Sequence, residues 1–140
     1  MRKILLSAMT FMILSSSAFA FTQGNTGGHQ PLTMELYQTG IKIIDIRTEP
    51  EWRQTGIVKG SYTITFFDEK GGYDADRFLR SLRQIVHPSE DFAIICRSGN
   101  RTTAVAKFLR DVGYKKVINL KGGVRKAHKN GVPFEAYPRR

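Results

Sequence analysis

The sequence is poor in cysteine, since its 140 residues contain Cys96 and no other. A single cysteine cannot form a disulfide within the chain, which excludes a fold stabilised by internal disulfides. It also excludes disulfide exchange by a C-x-x-C pair, because no second thiol is present to resolve a mixed disulfide. An unpaired cysteine is either buried and inert or exposed and reactive, and the residues around Cys96 must decide between these states.

Long apolar runs are also scarce, and the longest lies near the start of the chain. Two basic residues precede the apolar stretch Ile4–Leu14, and small residues follow it up to an A-x-A site at Ala18–Ala20. This pattern predicts a secretory signal peptide over residues 1–20, cleaved before Phe21. An uncleaved anchor is the weaker alternative, because the stretch is well short of the about 20 residues that cross a bilayer. We therefore expect no stable membrane insertion after cleavage, and a periplasmic location if a bacterium makes the protein.

Acidic residues are few compared with basic ones. The chain has 22 Lys and Arg against 12 Asp and Glu, and loss of the predicted signal peptide leaves 20 against 12, a net charge of about +8. A charge of this sign favours anionic small molecules or acidic partners through long-range attraction, although it can also serve solubility alone. Nucleic acid is a weaker candidate, because the basic residues are spread along the chain and export removes the usual target.

Histidine is scarce as well. The chain has three, at His29, His87 and His128, and their positions show no metal-ligand spacing. We therefore predict no metal site and no other cofactor, and we expect all three histidines at the surface or in loops.

Short apolar runs alternate with amphipathic stretches over residues 32–138, whereas residues 21–31 lack an apolar period and predict a flexible leader. Strands are expected at Lys42–Ile46, Ser61–Phe67, Phe92–Cys96 and Lys115–Leu120. Helices are expected at Glu49–Gly56, Asp74–Val86, Arg101–Gly113 and Val124–Lys129. Alternation of strands and helices predicts one α/β domain with a mostly parallel central sheet of four to five strands and helices on both faces.

The segment after Cys96 has the composition of a binding loop rather than of core. In open α/β sheets, ligands bind beyond the carboxyl ends of the strands, which is where the third predicted strand places this cysteine. The next four residues, here called the cysteine loop, are Arg97, Ser98, Gly99 and Asn100. Gly and Asn tolerate positive φ, so this loop can curl its N–H groups towards the sulfur. The helix that follows adds unpaired N–H groups and a positive dipole end.

These groups all favour an anion at the position of the sulfur. A drop of about two units from the usual cysteine pKa of about 8.5 raises the ionised fraction at pH 7 from about 3% to about 75%. Arg97 and Arg101 supply nearby cations, and the planar fork of Arg101 suits an anionic substrate. A buried, inert cysteine fits the preceding apolar residues but not the polar loop, so we predict that Cys96 is a nucleophile.

The sequence Cys-Arg-Ser-Gly-Asn-Arg at residues 96–101 resembles the active-site loop of single-domain rhodaneses, sulfurtransferases that carry sulfane sulfur as a cysteine persulfide. Three other segments resemble family motifs in the same order: Ile43–Trp52, Gly56–Ser61 and Asn119–Pro133. The family patterns are I-D-V-R-x-x-x-E-aromatic, G-H-I-x-G-small, and L-x-G-G-hydrophobic-x-x-W ending in G-x-P. The resemblance spans Leu32–Pro138. It departs at Ile57, where the family often has histidine, and at Ala127, where it often has tryptophan.

This resemblance implies a rhodanese-like fold and a two-step transfer of sulfur. Cys96 would take sulfane sulfur from a small anionic donor such as thiosulfate and pass it to a thiophilic acceptor, cyanide or a thiol, with ping-pong kinetics. The substrate-binding residues that it implies are Arg97, Ser98, Gly99, Asn100, Arg101 and Thr102. The alternative is a persulfide carrier or binding module that serves a periplasmic partner protein.

Other polar residues near strand ends are candidates for support of the site. Asp45 and Arg47 are expected to brace the cysteine loop by charge-assisted hydrogen bonds, unless Asp45 only caps its strand end. Phe66–Asp68 would line the pocket or, for the two phenylalanines, belong to the core. Glu51 and Trp52 are predicted to be structural.

Loop length separates the candidate chemistries. Four residues lie between Cys96 and Arg101, giving C-x4-R, and residue 102 is threonine. Cysteine-dependent phosphatases use a related loop with one more residue, C-x5-R, sized for a tetrahedral phosphate. The shorter loop therefore favours sulfur transfer over phosphatase or arsenate reductase chemistry.

Overall fold

The computed structural model describes residues 28–138, which form a parallel five-stranded sheet with strand order β1-β6-β5-β2-β4 and a small antiparallel pair, β3-β7. The strands are β1 His29–Gln30, β2 Lys42–Asp45, β3 Ile57–Val58, β4 Tyr62–Thr63, β5 Phe92–Ile95, β6 Val117–Leu120 and β7 Phe134–Glu135. The helices are α1 Met34–Gln38, α2 Glu49–Thr55, α3 Ala75–Arg83, α4 Asn100–Asp111 and α5 Gly123–Lys129. The predicted signal peptide lies outside the described residues and stays a prediction. Within the described range, no helix combines the length and the apolar character needed to cross a membrane.

The sheet has helices on both faces, which confirms the predicted fold class. β5 is completely buried between β2 and β6, and Ile94 lies opposite Ile44 in the parallel register. Successive side chains of a strand point to opposite faces. Ile44 and Ile94 accordingly pack with α3 and α4, while Ile43, Ala93 and Ile95 pack with α1 and α5. The carboxyl end of β5 therefore opens between two packed layers.

The first strand lies within the segment predicted to be a flexible leader. His29 and Gln30 were expected in the flexible leader, but they form the edge strand β1, parallel to β6, opposite Asn119 and Leu120. The pairing is made by backbone groups, and His29 is exposed, so no apolar period marks this strand in the sequence. Helix α1, whose N-cap is Thr33, was not predicted either.

The predicted strand Ser61–Phe67 is shorter than expected. The ladder covers Tyr62–Thr63, and the chain then continues beside the end of β2 through two backbone hydrogen bonds. The N–H of Ile64 donates to the carbonyl of Asp45, and that of Phe66 donates to Ile46. This extension brings Phe66 to the edge of the sheet where β5 ends.

Candidate active site

The sulfur of Cys96 lies in a cradle at the carboxyl end of β5. Cys96 continues the alternation of the strand, so its side chain packs in the same cluster as Ile94 on the α3–α4 face. The backbone N–H of Gly99 donates to Sγ at 3.1 Å, and the hydroxyl of Thr102 lies 3.6 Å from it. Cys96 is only 1% exposed. The thiol is thus buried, although its surroundings are polar on the side of the loop.

Gly99 gives the cradle its shape. It has a φ of 97°, in the left-handed region that favours glycine, and it is the N-cap of α4. Its carbonyl accepts hydrogen bonds from the hydroxyls of Thr102 at 3.1 Å and Thr103 at 2.9 Å. These two bonds fix the turn at Gly99, which keeps its N–H directed at Sγ. Helix α4 begins at Asn100, one residue earlier than predicted.

Arg101 is held by Glu51 rather than left free for an anion. Its guanidinium donates to both carboxylate oxygens of Glu51, at 2.8 and 2.7 Å. The hydrogen bonds from Arg101 lower the pKa of the Glu51 carboxyl to about 2, while partial burial acts in the opposite direction. The same carboxylate forms a capping box with Thr48 at the start of α2. Glu51, predicted to be merely structural, therefore connects α2 to the first turn of α4.

The remaining residues of the cysteine loop face outwards. Arg97, Ser98 and Asn100 are exposed. Within residues 28–138, the side chain of Arg97 has neither an ion pair nor a hydrogen bond, so its guanidinium is available to a ligand. Of the two arginines predicted to bind an anion, Arg97 is the one whose position suits that role.

Asp45 and Arg47 lie at the end of β2 as predicted, but their hydrogen-bond partners are not those expected. Both are fully buried and form an ion pair of 2.7 Å. Arg47 also donates to the hydroxyl of Thr55 and to the carbonyl of Gly56, and the indole N–H of Trp52 donates to Asp45. The pair therefore braces β2 against α2 and does not contact the cysteine loop by the hydrogen bonds expected. Asp45 accepts the N–H of Arg47 as well, which is the alternative role of a strand-end cap.

The aromatic residues after β4 combine the two roles considered for them. Phe66 is 7% exposed and packs in the same cluster as Cys96, with Phe67 partly buried against it. Phe66 and Asp68 also line a groove of about 690 Å³, where the ring of Tyr73 stacks on Phe66 at 5.5 Å. Phe66 is thus both core and pocket wall.

Helix α5 supplies contacts to the cysteine that the sequence analysis did not predict. The N–H of Val124 donates to the carbonyl of Cys96 at 2.9 Å, and the N–H of Arg125 donates to that of Arg97 at 3.3 Å. Gly123 makes this approach possible, because a Cβ there would collide with the Cys96 carbonyl oxygen and the Arg97 backbone. The adjacent glycines Gly122 and Gly123 are the sequence signal for this close approach of α5 to the cysteine loop.

The described residues contain no group of His, Cys, Asp and Glu side chains that could hold a metal ion. His29 lies on β1, His87 is exposed in a loop, and His128 lies exposed on α5 with its ring stacked on Phe134.

The link between Glu51 and Arg101 predicts a pH-dependent loss of stability. Glu51→Gln should lower the free energy of unfolding at pH 7 by about 1 kcal/mol, a value suited to a partly exposed bidentate pair. Because the folded-state pKa of about 2 lies below the ordinary value of 4.5, this contribution is complete above pH 4.5. It is lost as the pH falls towards 2. Urea unfolding of both proteins between pH 7 and pH 2.5 measures the difference.

Glu49→Gln is the matched control for this variant. Glu49 is an exposed acidic residue on the same helix and pairs with Arg53 one turn later. Such pairs contribute about 0.3–0.5 kcal/mol. An equal loss in both variants, or a Glu51→Gln effect that persists at pH 2.5, would contradict a specific role for the bond to Arg101.

Comparisons with known proteins show which family the chain resembles. The model of the rhodanese-like domain family matches residues 31–130. The chain is 39% identical over 109 residues to a sulfurtransferase of Allochromatium vinosum, which covers 76% of this chain and 91% of the relative. It is 31% identical over 93 residues to thiosulfate sulfurtransferase 18 of Arabidopsis thaliana, covering 63% of this chain and 67% of the relative.

Solved structures show the same fold. The crystal structure of a rhodanese-like domain protein from Staphylococcus aureus aligns with a TM-score of 0.57 at 21% identity, covering 79% of this chain and 100% of that one. The expected rhodanese-like fold is therefore confirmed. With a family match that extends over most of its length, the chain belongs to the rhodanese-like domain family.

Proposed function

We propose that this chain is a sulfurtransferase in which Cys96 takes sulfane sulfur from an anionic donor such as thiosulfate and carries it as a persulfide. The observation that carries the proposal is the N–H of Gly99, which donates to Sγ at 3.1 Å at the carboxyl end of β5. A hydrogen bond of this kind strengthens when the sulfur is charged. The names of two relatives support the same class of reaction.

The first half-reaction loads the cysteine. The Cys96 thiolate attacks the sulfane sulfur of the donor, so a new S–S bond forms while the S–S bond of the donor breaks. The remainder of the donor leaves with the electron pair, as sulfite when the donor is thiosulfate. Arg97 is exposed next to the nucleophile and can receive the anionic group of the donor. Arg101, held by Glu51, instead positions the start of α4.

The second half-reaction transfers the outer sulfur from Cys96 to the acceptor. Cyanide or a thiolate attacks the outer sulfur of the persulfide, and Sγ leaves as a thiolate ready for another cycle. Because donor and acceptor react in turn with the same sulfur, the kinetics should be ping-pong.

A second candidate function is that of a persulfide carrier that delivers sulfur to a partner protein. The exposed loop residues Arg97, Ser98 and Asn100 favour it, because they form a polar surface that a partner protein can contact. The two functions share the persulfide and differ in turnover with small molecules.

Mass spectrometry tests the persulfide directly. After incubation with thiosulfate and removal of excess donor, we expect the intact protein to gain the mass of one sulfur atom. Peptide mapping without reductant should place it on the peptide that contains Cys96. Cyanide should then remove the adduct as thiocyanate. If no sulfane donor produces the adduct, the proposed function is wrong, and an adduct with negligible thiocyanate formation supports the carrier.

A further inference from the structure

The structure contains a second cavity beside the cysteine loop, of about 210 Å³, between α2 and α5. We call it the arginine cavity. It is lined by Arg47, Glu51, Gln54, Thr55, Arg97, Val124, Arg125 and His128. Cys96 and Gly99 do not line it, so it is separate from the cradle that holds the sulfur. Arg97 is the residue that connects the two.

The charges of the arginine cavity do not balance. Glu51 is neutralised by Arg101, and Arg47 is neutralised by the buried Asp45. Within the described part of the chain, Arg97 and Arg125 have no ion pair and no side-chain hydrogen bond. The cavity therefore carries two uncompensated guanidinium groups, which favour an anion.

These two arginines are held side by side. The backbone N–H of Arg125 donates to the carbonyl of Arg97 at 3.3 Å, so the two side chains start from adjacent points of the backbone. The ring of His128 stacks on that of Phe134, with 3.7 Å between the ring centroids and an interplanar angle of 11°. This contact holds the histidine ring that lines the cavity. Two guanidinium groups whose side chains start from neighbouring backbone positions can both donate hydrogen bonds to one carboxylate.

We propose that the arginine cavity binds the carboxylate of a small thiol that serves as the sulfur acceptor, an inference that rests on the proposed function. The sulfonate group of thiosulfate is bonded directly to the sulfane sulfur, so it must lie next to Sγ when the sulfane sulfur is attacked, where Arg97 can receive it. Cys96 does not line the arginine cavity, so an anion bound between Arg97 and Arg125 is not bonded directly to the reacting sulfur. An acceptor thiol whose carboxylate is two or three carbons from its sulfur can place these two groups apart, which thiosulfate cannot.

The transfer step balances without an added oxidant. The acceptor thiol loses its proton to solvent, and its thiolate attacks the outer sulfur of the Cys96 persulfide. The bond between the acceptor sulfur and the outer sulfur forms as the bond from the outer sulfur to Sγ breaks. The electron pair stays on Sγ, and the acceptor leaves as a carboxylate-bearing persulfide.

Binding is tested first with probes that cannot react. 3-(Methylthio)propionate carries the carboxylate, and 3-(methylthio)propan-1-ol is the neutral match. In ¹H–¹⁵N spectra of the ¹⁵N-labelled protein, the carboxylate should shift the amides of Arg97 and Arg125 and the alcohol should not. Arg125→Gln should weaken binding about fivefold, whereas Lys129→Gln, which removes the same charge from the same helix outside the cavity, should change it less than about twofold.

Three binding results would overturn the cavity as an anion site: equal binding of both probes, no effect of Arg125→Gln, or equal losses in the Arg125 and Lys129 variants. These results do not depend on formation of the persulfide. A failure of the cavity and a failure of the proposed function are therefore distinguishable.

Discharge of the persulfide tests the assignment to the acceptor. Rate constants per thiolate for 3-mercaptopropionate and 3-mercaptopropan-1-ol should favour the carboxylate, and Arg125→Gln should reduce that preference about fivefold. If Arg125→Gln instead raises the KM for thiosulfate and leaves the preference between thiols unchanged, the anion in the cavity comes from the donor. That outcome would overturn the assignment to an acceptor.

Discussion

Cys96→Ser should abolish sulfur transfer while leaving the protein folded. A serine hydroxyl cannot form the persulfide, so the rate of thiocyanate formation from thiosulfate and cyanide should fall about 10³-fold or more. The fold should tolerate the change, because the hydroxyl can accept the N–H of Gly99 that now donates to Sγ. We expect the free energy of unfolding in urea to stay within about 1.5 kcal/mol of the wild-type value.

The comparison with Cys96→Ala separates chemistry from packing. Alanine removes both the nucleophile and the acceptor of the Gly99 N–H, so it should be less stable than serine and equally inactive. Transfer at the wild-type rate in a folded Cys96→Ser protein would show that the sulfur is not carried by this residue. No other thiol exists in the sequence to take its place.

The elements of the fold were predictable where the signal is local. The apolar run Phe92–Ile95, the polar loop after it and the periodic helix that follows lie in one stretch of chain. All three form, with small differences in where the strand and the helix begin and end. Burial of a strand on both faces requires a continuous apolar run, and such a run is visible without knowledge of its neighbours. For this reason the position of Cys96 at the end of a buried strand could be predicted from the sequence.

The face of α4 was predicted less well. The spacing of apolar residues predicts a buried face with Ala104, Val105, Phe108, Leu109 and Val112. Val112 is instead 46% exposed, and Thr102, which the pattern omits, is buried. Thr102 tolerates burial because its hydroxyl donates to the carbonyl of Gly99 at 3.1 Å. A pattern based on apolar residues cannot assign a threonine whose hydrogen bond is supplied by the preceding turn.

The contacts that hold the cysteine loop from outside were not predictable from spacing. Arg101 pairs with Glu51, 50 residues earlier in the chain, and the carbonyl of Cys96 is bonded by Val124. Each of these residues has an ordinary local role, as a helix cap or as an apolar position in α5. Only the packing of α2, α4 and α5 around one loop shows that they act together.

Gly123→Ala should disturb the site more than any other single methyl group added to α5. The new Cβ would lie 2.5 Å from the carbonyl carbon of Arg97 and even closer to the carbonyl oxygen of Cys96, so the helix and the loop must move apart. A displacement of about 1 Å of a catalytic group can lower the rate about 10²-fold. We expect a loss of that size in kcat/KM for thiosulfate, measured by thiocyanate formation.

Gly131→Ala separates this collision from backbone strain. Gly131 follows α5 with a φ of 75°, and a Cβ there would meet nothing within 4 Å, whereas Gly123 has a φ of 55° and meets the loop. Both variants incur about 1–2 kcal/mol for a left-handed alanine, but only Gly123→Ala displaces Cys96 and Arg97. Urea unfolding measures the loss of stability that backbone strain causes in both variants. The kcat/KM for thiosulfate measures the additional effect of the displaced loop in Gly123→Ala. If both variants lose activity equally, or Gly123→Ala retains wild-type kcat/KM while folded, the close approach of α5 does not position the nucleophile.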